Sequence, residues 1–265
     1  MQKILKRVCG LTAIMGVFGA FIRWVQGLTA FEEETGLAIP NAPWSYVMFF
    51  FMLATAIALI FMVRSFKKYE FPTEFTAAMT YEKRSIDIST YALGAAMALG
   101  GLIEAITSFR SEPRSMFGLI TGILAMISAI CFIVFIRSVR SEKAAPKARS
   151  AAVVIVLVLC FWLIATYKVF SSDPVIWHFA PRLLAVSAAI VAFYYIAGYP
   201  FNKPRPLLSV FFCQLAAFLL ITTLADPFEL GEQLIAASTA GFLLLMSYNI
   251  LNNIGGESGK KPALD

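Results

Sequence analysis

"WSYVMFFFMLATAIALIFMV", residues 44–63, contains no charged residue. A helix rises 1.5 Å per residue, so about 20 residues cover the roughly 30 Å of a bilayer's hydrocarbon. The stretch therefore predicts a membrane-crossing helix. A barrel strand would be shorter and would alternate apolar with polar positions, and this run does neither. A helix also satisfies each backbone donor and acceptor inside its own segment, which lipid demands.

Seven further apolar runs obey the same rule: 8–26, 88–107, 115–136, 151–167, 174–199, 206–225 and 233–252. At 59% hydrophobic and 14% charged, the chain departs from a soluble domain, which is roughly half apolar and a quarter charged. The expected class is all-α: a polytopic membrane helix bundle of about eight transmembrane helices, residues 1–265 forming one membrane domain. A polar stretch, "SVRSEKAAPKARS" at 138–150, separates two sets of four helices, 1–140 and 150–254. Each set would start on the same side, so a duplication would give parallel repeats.

Basic residues set the orientation. When the surfaces are numbered alternately from the N-terminus, Lys and Arg divide 17 against 5, which together make the 22 in the chain. Short cytoplasmic loops carry the Lys and Arg excess. Both termini are therefore expected in the cytoplasm of a multi-pass cell-membrane protein. The N-terminal "MQKILKR" precedes an apolar run as in a signal peptide. No small-residue cleavage site follows, and Arg23 and Trp24 close the run, so an uncleaved first helix is expected. Between the second and third runs, "PTEFTAAMTYEKRS" (72–85) predicts a short interfacial helix. Thr73 would be its N-cap, with Phe75, Ala78 and Met79 on one face. The tail "GGESGKKPALD" (255–265) predicts disorder.

Several chemistries are excluded. His178 is the sole histidine, so a two-histidine zinc motif cannot form, and any imidazole base would be this residue. No aspartate or lysine lies deep in an apolar run, and no G-x-S-x-G occurs. "GESGK" lacks the spacing and the Ser or Thr of a phosphate loop. Cys9, Cys131, Cys160 and Cys213 all fall in apolar runs without metal or disulfide spacing. No catalytic residue and no cofactor is assigned, and an enzyme is disfavoured. The basic residues flank helices and form no soluble patch, so nucleic acid is not a partner. The lipid bilayer is. A small-molecule or ion ligand stays open, as does a membrane-protein partner or a second copy of the chain.

Charges inside apolar runs are expensive and therefore informative. Arg23, Glu104 and Arg182 are of this kind. With His178 at the outer end of the sixth run and Glu32 in the first external loop, they form the candidate ligand-binding set. Glu104 and Arg182 are expected at equal depth and paired, directly or through Arg23 and water. Small residues at Gly118 and Gly122, Gly94 and Ala98, and Ala96 and Gly100 predict close helix packing.

"RWVQGLTAFEEETGL", residues 23–37, reads as R-x2-Q-x4-F-[DE]-x2-T-G-L, at Arg23, Gln26, Phe31, Glu32, Thr35, Gly36 and Leu37. It resembles a first-hairpin pattern in uncharacterised multi-pass membrane proteins of Gram-positive anaerobes. The resemblance covers these residues and the many-helix layout. It implies a bacterial membrane family of no stated activity and carries over no site residues. Independently of it, Thr35-Gly36 predicts a turn with positive φ at the glycine. Glu32, Glu33 and Glu34 form a solvated acidic loop, fold Glu32 back as a cap over Arg23, or line a cation vestibule. The expected function is a small-molecule or ion transporter or permease with an outward-opening polar site; the alternative is a non-catalytic sensor or accessory subunit with an external receiver surface. A cavity across the midplane would favour the first. A packed midplane with a protein-sized outer patch would favour the second.

Overall fold

The computed structural model describes residues 2–32, 34–81, 84–112, 115–171 and 175–255. Its helices are α1 (Gln2–Thr29), α2 (Pro43–Ser65), α3 (Phe75–Met79), α4 (Arg84–Arg110), α5 (Met116–Ser138), α6 (Ala145–Phe170), α7 (Ala180–Ala197), α8 (Pro206–Thr222) and α9 (Leu230–Asn252). Among the described residues, all but α3 are long and apolar enough to cross a membrane, giving eight spans. The chain is an all-α polytopic bundle, as expected. An even number of crossings leaves α1 starting and α9 ending at one end, the terminal end. The other is the distal end.

Prolines decide where several helices begin. Pro43, Pro146, Pro181 and Pro206 stand in first turns, where a missing N–H costs nothing and φ is preset. Two sequence boundaries shift for this reason. The helix expected from 151 starts at Ala145, inside the polar stretch 138–150. The helix expected from 174 starts at Ala180, after a separate 3-10 turn at Ile176–His178.

α9 is the central element, packed on α4, α8 and α1. In its most apolar window 67% of residues are buried, against 22% for α2, which faces outward. Helix seams close through glycines. A Cβ on Gly122 would come within 2.6 Å of the Ala105 backbone N on α4. One on Gly100 would lie 2.9 Å from the Gly231 carbonyl on α9. Only residues without a side chain permit such approaches.

Aromatic rings pack the interior. Phe132 stacks on Phe242 at 4.1 Å, and Phe193 on Phe242 at 5.7 Å. Trp162 lies toward the distal side of this stack, 2% exposed. A void of about 10 Å³ remains between Met97, Phe132, Trp162 and Thr239, room for one water at most.

At the terminal end α3 buries Phe75, Ala78 and Met79, the face the sequence predicted. It does not present that face to lipid. Asn253 Nδ2 donates to the carbonyls of Ala78 and Thr80, each at 2.9 Å, and the Phe75 ring meets Phe135. The N-cap position is Glu74, without a side-chain bond, and not Thr73. The "GESGK" motif and most of the tail, with Glu33, Lys83, Arg114 and Asp173, lie outside the described residues.

Candidate functional site

Arg23 lies six residues before the end of α1, about 9 Å inward. Although cationic, it is only 5% exposed, so each of its donors needs an acceptor. Nε donates to Asp226 Oδ1 at 2.5 Å, Nη1 to Gln26 Oε1 at 2.9 Å, and Nη2 to the Trp177 carbonyl at 2.7 Å. Gln26 Nε2 in turn donates to Ser45 Oγ at 3.2 Å. One guanidinium thus ties α1 to the turn before α7, the turn before α9 and the start of α2. Asp226 is also buried, and its Oδ2 has no partner. Burial pushes the Asp226 carboxyl up, while Arg23, and less strongly Arg182 and His178, oppose that rise.

Arg182, in the first turn of α7, is fully buried. Nη1 donates to Thr223 Oγ1 at 3.3 Å, and the guanidinium lies over the Phe228 ring at 4.2 Å and the Trp162 ring at 5.7 Å. Its Nε and Nη2 have no partner, and its charged neighbours are Glu232 and Asp226. The aromatic faces supply cation–π attraction in place of a carboxylate.

The expected Glu104–Arg182 pair is not formed. Among the described residues, the ion pairs within 4 Å are Arg23–Asp226 and Arg140–Asp87. Helix rotation is the reason. Glu104 points into the α4–α5 seam, where Oε1 accepts from Ser108 at 3.1 Å and a Cβ on Gly118 would lie 2.8 Å from it. The charges that act on it are the carboxylates Glu232 and Glu229. Arg182 instead faces the α8–α9 turn.

His178 sits in the 3-10 turn before α7, its ring 4.7 Å from that of Phe31. Glu32 is exposed and accepts from Thr35 Oγ1 at 2.6 Å, so it does not cap Arg23. Gly36 has φ +66° and donates to the Glu32 carbonyl, and Phe31 bridges to Ala38. The first distal loop is the closed turn that Thr35-Gly36 predicts. The 23–37 pattern gains a physical content here. Arg23 and Gln26 share a helix face, Phe31 meets His178, and Glu32, Thr35 and Gly36 close the turn.

Arg23 and His178 thus come together, Arg182 lies beneath them, Glu104 is separate, and Glu32 is at the rim. A pocket of about 410 Å³ opens here, walled by Arg23, Trp24, Phe31, Phe170, His178, Asp226 and Phe228. Asp226 and Phe228 escaped the sequence reading because "ADPFE" looks like an ordinary acidic loop. The available signal was the matching charge of Arg23 at the same end of another run. Among the described residues, no three His, Cys, Asp or Glu side chains converge as metal ligands. Compared with family models, curated proteins and solved structures, the chain matches none.

Proposed function

We propose that this integral membrane protein is a sensor or accessory subunit that binds a small organic cation in its distal pocket. The observation that carries the proposal is a largely aromatic pocket with Arg23 and Asp226 in its wall, at one end of the bundle and beyond the phenylalanine stack. The Asp226 carboxylate in the pocket wall offers negative charge to an ammonium group, and Trp24, Phe31, Phe170 and Phe228 offer ring faces. Glu32, Glu34 and Glu229 are exposed at the same end and would draw cations toward it. On the 17-to-5 bias, the distal end faces outside and both termini are cytoplasmic. The Phe132–Phe242–Phe193 stack packs the interior between the helices, which supports sensing over conduction.

Transport through a permease-like protein is the second reading. One observation favours it: Arg182 Nε and Nη2 and Glu104 Oε2 are buried without partners, as groups awaiting a solute in another state would be. The test is thermal unfolding of the purified chain with a panel of small amines and quaternary ammonium salts, against sodium chloride and small carboxylates. A ligand that binds only the folded form raises the melting temperature. An amine should do so in the native chain and fail in Trp24→Ala. A carboxylate acting where no amine acts would reject the cation assignment. Accumulation of the active amine in proteoliposomes would replace sensing by transport.

A further inference from the structure

A second depression lies at the terminal end, between α6 and α7. Its volume is about 510 Å³, with Val153, Leu157, Tyr194 and Phe201 in its wall and Lys203 and Arg205 at its rim. The wall is open to the surroundings: Leu157 is 63% and Tyr194 66% exposed. No carboxylate lines it among the described residues.

The rim is built. Arg149 Nε donates to the Pro200 carbonyl at 2.6 Å and its guanidinium lies over the Phe201 ring at 5.7 Å. The Lys203 N–H donates to the Gly198 carbonyl at 2.7 Å. A Cβ on Gly198 would lie 2.7 Å from the Lys203 carbonyl, and Asn202 takes φ +57°. Residues 198–203 therefore form a closed loop that holds Lys203 beside the groove, with Arg205 just after it. The first turn of α8 opens at the same place with no side-chain acceptor, adding partial positive charge. Leu157 lies about 12 Å along α6 from Arg149, so the apolar wall runs inward from the basic rim.

We propose that this groove binds an anionic phospholipid. Its headgroup phosphate sits against Lys203 and Arg205, with Arg149 holding the loop, and an acyl chain lies along Val153, Leu157 and Tyr194. Three cations without a carboxylate select negative charge over a zwitterionic headgroup. The apolar wall beneath them distinguishes a lipid from a free phosphate ion, which would meet only exposed cations.

The test uses the full chain in mild detergent, with phosphatidylglycerol, phosphatidylcholine or inorganic phosphate added. Phosphatidylglycerol should raise the melting temperature by about 2–4 °C more than phosphatidylcholine, the scale of a site filled at several times its dissociation constant. The difference should vanish in Lys203→Gln/Arg205→Gln. It should also vanish in Leu157→Trp, which fills the groove and keeps the charges. It should survive in Arg64→Gln/Lys67→Gln, which removes the same charge from exposed positions at the same end. The proposal is overturned by equal responses to the two lipids, by full retention in Leu157→Trp, or by equal loss in the control double variant. Inorganic phosphate alone reproducing the shift would make this an ion site and overturn it too.

Discussion

Among the described residues each end of the bundle holds one ion pair, and the two pairs are built oppositely. At the distal end Arg23 and Asp226 are 5% and 2% exposed, and with Gln26 they tie α1 to α2 and to the turns before α7 and α9. At the terminal end Arg140 and Asp87 are 59% and 21% exposed, with Tyr81 Oη donating to Asp87 at 2.8 Å. The first pair gave up its water and recovers the loss only through fixed partners. The second keeps its water, so its attraction is weak and salt-screened. Charge at the distal end is therefore buried and structural. Charge at the terminal end is dispersed over a wet basic surface.

Breaking the buried pair should have the largest effect. Arg23→Leu leaves Asp226 buried and uncompensated, and a loss of about 3–5 kcal/mol is expected, read by thermal unfolding in detergent. Arg23→Leu/Asp226→Leu should recover most of it, because no unpaired carboxylate then remains and Arg182 keeps Glu232 as a charged neighbour. If the double variant is no better than the single, the carboxylate is not the cause and the comparison fails.

Gly122→Val tests whether the seam carrying Glu104 and Ser108 depends on backbone proximity. Its Cβ would meet Ala105 N at 2.6 Å, and overpacking of this kind costs about 1–3 kcal/mol. Gly122→Ala should cost less. Equal stability of all three chains would show that the seam yields freely.

Gly36→Val imposes a β-branched side chain at φ +66°. A loss of about 1–2 kcal/mol is expected from that strain, with Gly36→Asn milder. Hydrogen exchange of the Gly36 and Leu37 amides would report opening of the turn, and unchanged protection in the Val variant would reject the strain.

Asp87→Asn should have the smallest effect. The melting temperature should stay within error of the native value at moderate salt, since exposed pairs contribute little. A loss comparable to that of Arg23→Leu would erase the distinction between the two ends.

The sequence by itself determined the eight spans and the all-helical class. Lipid forces each backbone group to be satisfied locally, so run length alone suffices. It also determined the Gly36 turn and the buried face of Phe75, Ala78 and Met79, because both depend on residues close in the chain. Tertiary structure alone decided the partners. Arg23 found Asp226, 203 residues away, and Glu104 turned into the α4–α5 seam, away from Arg182. Helical depth can be counted from a sequence at 1.5 Å per residue. The rotation of each helix about its axis cannot, because in these nearly uniformly apolar segments no polar face marks the inside, and the glycine seams with their neighbours set it instead.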